Sequence, residues 1–453
     1  MNKKLFSVAA ILIVLSMVLT ACGSAAATTA AATESTTAAA PTTAAASTTA
    51  AATTAPASTT DASAGAPVKI VYWTFSDYTA GAPGDMMKEF INEFEAQNPN
   101  ITVELVGKPD TDIESGLIAG ASSGQLPDLF NLAYNAGEDV TSLGIVKDVS
   151  SMWNAMPEDY RQQFSPKAVQ GLQVDDKMYG IPFTAYSAVL YRNLTVLKAA
   201  GIDPSAGIKD WNDWLSQMQK VQTAGYKAMG NYTGDGWFIM IFLGGIQGVQ
   251  NDVVDGKTTI TADQLAKAYD FLKSASPFCT DASPADQATS DLFTTNKLAF
   301  FPSGPWSDPT FKAVQGLDYD AVLIPGETAD YAGGVHGGEF FGLTDGPNAE
   351  AAWKLATFLA DKEQMIRFGA QLGRANFNDA AMSDASVQAN ALVAVTSKGA
   401  SMGMPDAAYF KPFPLKVRQP LTDYAIQVVK GSMTSEDAAQ KAIDTINDIL
   451  ASQ

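Results

Sequence analysis

Histidine and cysteine are nearly missing from this 453-residue chain, which has one histidine, His336, and two cysteines, Cys22 and Cys279. That excludes a zinc site built from Cys and His and a scaffold held by many disulfides, and no metal or cofactor is expected. Positive charge is scarce too. Against 48 Asp and Glu stand 29 Lys and Arg, a net charge of −19, so a phosphate backbone would meet a repulsive field and nucleic acid is excluded as a partner. A third shortage is local. The 45 residues Gly23–Pro67 hold 20 Ala, 13 Thr and 5 Ser and no Val, Ile, Leu, Met or aromatic residue. Such a stretch has nothing with which to build a core.

What the front of the chain does have is an address. Lys3 and Lys4 precede a run from Leu5 to Val18 that is almost wholly apolar, and Leu19-Thr20-Ala21-Cys22 follows. An apolar stretch of about 15 residues after a short basic region reads as a secretory signal, since about 20 residues are needed to span a bilayer. The ending resembles the bacterial lipobox, in which a cysteine is lipidated before cleavage. Residues 1–21 are therefore expected to be removed, and Cys22 to become a lipidated N-terminus on the extracellular face of the cell membrane. Residues 22–67 would be a disordered tether. As a flexible coil of this length it would span about 35–40 Å on average. Cys279, next to Phe278, reads as a small buried hydrophobe.

The body starts at Val68 and reads as α/β. Val68–Trp73 is rich in β-branched and aromatic residues, the composition of a strand. Met87, Phe90, Ile91 and Phe94 recur at helical spacing before Asn98-Pro99. Ile101–Val106 is a second strand, 113–121 a second helix and Asp128–Leu132 a third strand. Strand and helix in alternation imply a parallel sheet covered by helices. Ligands bind beyond the carboxyl ends of such strands, here near Trp73 to Asp77 and Leu132 to Asn135. Further helical faces are Trp211, Trp214, Leu215, Met218, Val221; Ala352, Leu355, Ala356, Leu359; and Ala439, Ile443, Ile446, Leu450, the last helix opening at Thr434. Residues 298–301 and 321–324 read as short strands. A body of 386 residues exceeds one core, so two α/β lobes are expected.

The seven tryptophans divide by context. Trp211 and Trp214 share a helical stripe, and Trp353 and Trp153 read as packing. Trp73 closes the first strand, while Trp237 in Gly234-Asp235-Gly236-Trp237 and Trp306 in Gly304-Pro305-Trp306 follow glycine turns. Those three can present an aromatic face to a cleft, which suits the C–H face of a sugar ring.

Five stretches in order carry a resemblance: Lys69–Trp73; Gly124-Gln125-Leu126-Pro127-Asp128-Leu129; Tyr179-Gly180-Ile181-Pro182 with Leu190-Tyr191-Arg192-Asn193; Leu292–Trp306, ending in Ser303-Gly304-Pro305-Trp306; and Pro347-Asn348-Ala349-Glu350. The chain resembles the family 1 extracellular solute-binding proteins of ABC importers, the sugar-binding lipoproteins similar to maltose-binding protein. The resemblance implies a periplasmic-binding-protein-like fold, two α/β lobes joined by hinge crossings with a ligand cleft between them. It places lobe 1 at 68–184 plus 340–375 and lobe 2 at 185–339 plus 376–453. It implies a monomer that closes over a sugar or oligosaccharide and delivers it to the transmembrane subunits of an ABC permease. By the same resemblance the sugar contacts fall at Asp77, Asn135, Tyr186 and Trp306. Trp73 and Trp237 join them for their position and chemistry, and Glu339 for its place near the second crossing. Ala185 stands where maltose-binding protein has a carboxylate, a departure that bears on maltose itself. Amino acids, polyamines and phosphate esters remain alternative ligands, and a wall-associated adhesin an alternative role.

An enzyme is the remaining alternative. Gly120-Ala121-Ser122-Ser123-Gly124 fits the G-x-S-x-G pattern and His336 lies downstream, but a nucleophile elbow needs strand, turn, helix in that order. Ser122 follows a helical stripe and precedes a strand, so no catalytic residue is assigned. His336 has two readings, a ligand donor on a glycine-rich crossing or a solvated loop residue.

Overall fold

The computed structural model describes residues 66–329, 331–406 and 415–452. The signal segment, Cys22 and all but the end of the expected tether lie outside the described residues. Ser63–Gln453 forms one compact unit, and nine strands make its two main sheets: β1 (Val68–Phe75), β2 (Ile101–Lys108), β3 (Leu129–Ala133), β4 (Ile181–Ser187), β5 (Val189–Asn193), β6 (Phe300–Ser303), β7 (Tyr319–Leu323), β8 (Val335–Leu343) and β9 (Met404–Pro405).

The first sheet begins as the alternation of strand and helix dictates. β1 pairs in parallel with β2 along its whole length, Val68 opposite Ile101 through Phe75 opposite Lys108, and with β3 on its other side. Parallel neighbours need long crossovers, supplied by the helices Gly81–Gln97 and Asp110–Ser123. In the first of these the stripe Met87, Phe90, Ile91, Phe94 is buried. The helix stops where the sequence puts Asn98 before Pro99, because the residue before proline is pushed out of the helical region. β8 then joins antiparallel to β3, Glu339 opposite Ala133 and Leu343 opposite Leu129.

β4 and β8 run antiparallel as a pair, His336 opposite Ser187 and Phe341 opposite Ile181, and carry the chain from one hydrophobic core to the other. Phe183, Phe340, Phe341 and Leu343 belong to the first core with Ile70, Phe90 and Phe130. Ala188 and Val335 belong to the second, with Trp214, Phe242 and Leu421. Cores therefore change between Phe183 and Ala188 and between Val335 and Phe340. A third passage comes later than the expected 375. Phe377 and Ala381 still pack on the first core, Asn376 Nδ2 donates to the Met365 carbonyl oxygen at 3.2 Å, and Leu392 is the next residue to enter a second-lobe cluster.

Within the glycine-rich run 333–338, Gly333 and Gly334 precede the strand and residues 335–338 belong to it. A side chain at Gly338 would collide with the Phe377 ring and the Thr184 carbonyl, and one at Gly337 with the Tyr186 hydroxyl. These glycines permit close approach where the crossing strands meet. His336 sits in this strand, half-buried, so it is not a solvated loop residue, and it is not among the residues of the cavity wall described below.

The second lobe is helix-rich around a three-stranded antiparallel sheet with β5 between β6 and β7. Both faces of β5 are covered: Leu190 enters the large second core, Val189 and Tyr191 a smaller cluster with Phe293 and Phe311. Trp211 and Trp214 are buried on their helix, and Trp153 and Trp353 are buried in the first core. The strands expected at 298–301 and 321–324 are β6 and β7, each shifted by two residues or less at its start. The last helix, Ser435–Ala451, opens as expected, with Thr434 Oγ1 accepting the Asp437 N–H. The reciprocal capping box is formed instead by Thr261 and Gln264.

Candidate functional site

A cavity of about 720 Å³ is walled by residues of both lobes and of the crossing strands. One wall comes from the carboxyl ends of the three parallel strands: Phe75 to Asp77 after β1, Lys108 at the end of β2, and Ala133 and Asn135 after β3. The strand ends converge there because all three strands point the same way. The opposite wall is built from turns of the second lobe, Gly234 to Phe238, Pro284 to Gln287, and Ser303 with Trp306 and Ser307. Tyr186 and Glu339 on the crossing strands, with Arg374 and Asp406, form the base.

The second-lobe wall is aromatic. Trp306 meets Tyr186 edge to face, ring centroids 5.6 Å apart at 79°, and Trp237 at 5.4 Å and 53°. Local sequence sets these rings. Asp235 caps the helix Gly236–Leu243 by accepting the Trp237 N–H at 2.7 Å. Gly236 leaves room for the Arg418 backbone, and Gly304 lets the Trp306 ring fold back over the turn.

Two aspartate–arginine pairs stand among the polar groups. Asp77 takes the Arg374 guanidinium, whose side chain is 2% exposed. Beside it the Glu339 carboxyl, 7% exposed, accepts the Tyr78 hydroxyl at 3.0 and 3.2 Å and Asn131 Nδ2 at 3.2 Å. Burial, reinforced by the Asp77 charge, pushes Glu339 up to about 8, so it is largely protonated at neutral pH. The second pair joins Arg418 to Asp406 Oδ1 at 2.9 Å. Asp406 Oδ2 accepts both Tyr186 Oη and Asn135 Nδ2 at 2.6 Å, linking the first lobe, a crossing strand and the second lobe through one carboxylate. His336 lies behind it. Its carbonyl accepts the Asp406 N–H at 2.6 Å, and burial pushes its imidazole down to about 4, leaving it neutral.

Of the residues singled out from sequence, Asp77, Asn135, Tyr186, Trp237, Trp306 and Glu339 meet at this cavity. Trp73 does not. β1 runs two residues beyond Trp73, so Phe75 takes the position at the mouth. Trp73 packs toward Gly116 of the helix Asp110–Ser123, with Lys108 Nζ 4.1 Å from its ring centroid. Arg374, Asp406 and Arg418 were not anticipated, since isolated charged residues in a chain with 77 of them carry no local signal. Ser122 is exposed in the last turn of its helix and, like His336, is absent from the cavity wall. Cys279 is half-buried at the edge of the second core, its thiol donating to the Ala275 carbonyl at 3.3 Å.

Two lobes, three chain passages and a polar and aromatic cavity at their junction define a cleft-type binding protein. Residues 89–395 match the family model described as bacterial extracellular solute-binding protein, and the chain belongs to that family, whose location is extracellular or periplasmic. Among curated proteins, the maltodextrin-binding protein MdxE of Bacillus subtilis is 24% identical over 382 residues, covering 80% of this chain and 87% of that one. Among solved structures, the GacH receptor of Streptomyces glaucescens superposes with a TM-score of 0.76 at 17% identity, covering 85% of this chain and 99% of that one. The maltose/maltodextrin-binding domain MalE of Bdellovibrio bacteriovorus, bound to maltotriose, gives 0.71 at 22% identity, covering 84% and 100%. At these identities the structural likeness shows the fold, two lobes of the periplasmic-binding type.

Proposed function

We propose that this chain is the solute-binding component of an ABC importer, takes a neutral oligosaccharide into the cavity by lobe closure, and presents it to a membrane permease. The observation that carries the reading is the division of the cavity into an aromatic wall, Trp237 and Trp306, and a wall of fixed polar groups, Asp77, Asn135 and Glu339. A sugar ring has that same division, C–H groups on its faces and hydroxyls on its rim. The volume is in the range of small-molecule sites, and oligosaccharide-binding relatives and neighbours point the same way.

Charge argues against the anionic alternatives. Arg374 and Arg418 are each paired to an aspartate, and the Lys108 ammonium is held over Trp73. A phosphate ester would have to share a cation that is already engaged. Catalysis is not part of the proposal: among the described residues, neither Ser122 nor His336 lines the wall. Closure follows by population shift: contacts to both walls exist together only in the closed form, so ligand stabilises it. Lipidation of Cys22 would hold the protein at the extracellular face of the membrane, with residues 22–67 as the tether.

The test is a ligand screen on the mature chain, read by tryptophan fluorescence and melting temperature. Neutral mono- and oligosaccharides, maltotriose among them, are expected to change both. A response to amino acids, polyamines or glycerol phosphate with none to sugars would overturn the assignment.

A further inference from the structure

Glu339 stands apart among the cavity carboxyls by burial without a guanidinium of its own. Asp77 and Asp406 each hold a guanidinium, and Asp235 and Asp286 are exposed to water. Glu339 is 7% exposed and its hydrogen-bond donors are neutral, the Tyr78 hydroxyl and the Asn131 amide. Every element packed around it contributes to this setting. β1 brings Tyr72, which donates to Asn131 Oδ1 at 3.3 Å; the turn after β1 brings Asp77 and Tyr78; β4 brings Thr184; and Arg374 completes the shell. One guanidinium thus serves two carboxyl groups and is committed to Asp77. A second buried anion there would lack a counter-charge, which burial penalises heavily. The Asn131 amide and the shorter tyrosine contact both fall on Oε2, and the longer tyrosine contact, 3.2 Å, on Oε1.

We propose that Glu339 is a specificity residue that acts in its protonated form, its neutral carboxyl offering both a donor and an acceptor to a ligand hydroxyl, so that binding is coupled to the uptake of one proton at alkaline pH. The proposal rests on the sugar reading, because a hydroxyl can use both halves of a carboxylic acid. The position at which burial and Asp77 set this carboxyl, about 8, places the coupling just above neutral pH.

The probe is maltotriose, its dissociation constant followed by calorimetry from pH 6.5 to 9.5. Affinity is expected to be flat below about pH 7.5 and to fall by up to about tenfold per pH unit above about 8. In two buffers of different ionisation heat at pH 9, close to one proton is taken up for each ligand bound. In Glu339→Gln, which cannot ionise, the pH slope vanishes and no proton is taken up. A flat wild-type profile to pH 9.5, or the same slope in both proteins, overturns the proposal.

A ligand-free arm separates this from the sugar reading. A carboxyl raised from 4.5 to about 8 on folding contributes stability that is complete below pH 4.5 and lost as pH rises toward 8. The melting temperature of wild type should therefore fall more steeply from pH 5 to 8 than that of Glu339→Gln. If neither maltotriose nor any other sugar of the ligand screen binds at any pH, the sugar reading fails on its own evidence. Parallel melting curves for the two proteins would then sink the proton as well.

Discussion

The two aspartate–arginine pairs on the cavity wall differ in what else they hold, and that difference separates two tasks. Arg374 and Asp77 sit within the first lobe beside the buried Glu339 carboxyl, on the cavity wall. Arg418 and Asp406 add Asn135 and Tyr186 and so tie both lobes and a crossing strand to one carboxylate. Identical chemistry stays within one lobe in one place and spans the junction in the other. What decides is whether the partners come from one lobe or from two.

The comparison breaks first at Asp406. Its carboxylate is 2% exposed and its guanidinium partner 13%, so Asp406→Ala takes one buried carboxylate from Arg418, Tyr186 and Asn135 together and should cost about 3–5 kcal/mol of unfolding free energy. Asp77, whose side chain is 32% exposed, should cost clearly less on the same change, because water can replace part of what is lost. Urea denaturation of both variants measures this, and equal losses would remove the distinction.

Next in size is the aromatic wall. Trp306→Ala removes a ring's worth of apolar contact, about 1.5–3 kcal/mol, or about 10- to 150-fold in maltotriose affinity. Stability should change little by comparison. Titration calorimetry reads the first and thermal melting the second.

Asn135→Ala is a gentler cut, removing a first-lobe hydrogen bond to Asp406 at a cost of about 1 kcal/mol. Its signature is a larger radius of gyration of the ligand-free protein in small-angle scattering, since closed-like forms lose a contact and open forms lose nothing. The smallest effect is expected at Trp73, which packs under Lys108 away from the cavity. Trp73→Ala should leave the maltotriose dissociation constant within about twofold, and a tenfold loss would return Trp73 to the site.

Much of this organisation was legible before any coordinates. Met87, Phe90, Ile91 and Phe94, like Ala439 to Leu450, revealed buried faces because helical periodicity is a local property. Trp237 and Trp306 were legible as cleft residues because glycine turns beside them are local too. Trp73 was misplaced by two residues of strand, since Thr74 and Phe75 carry no stop signal. The glycine-rich run at 333–338 left a crossing and a loop both open; residues 335–338 are strand, and Gly337 and Gly338 are required there by Tyr186, Phe377 and Thr184 from distant parts of the chain. The third passage between lobes was read early for the same reason, as Asn376 and Phe377 are held by Met365 and Tyr134.

By itself the sequence determined the acidic body, the signal-like start, the helical and strand periods, and the turns that present tryptophan. Each depends on residues a few positions apart. Only the tertiary structure decided which charges become partners. Asp77 and Arg374 are separated by 297 positions and Asn135 and Asp406 by 271, and no local pattern marks such pairs. Glu339 was legible as a residue near a crossing, but its protonation was not. That follows from the number of cations its buried neighbours can spare, which is settled only when three strands, a turn and Arg374 close around it.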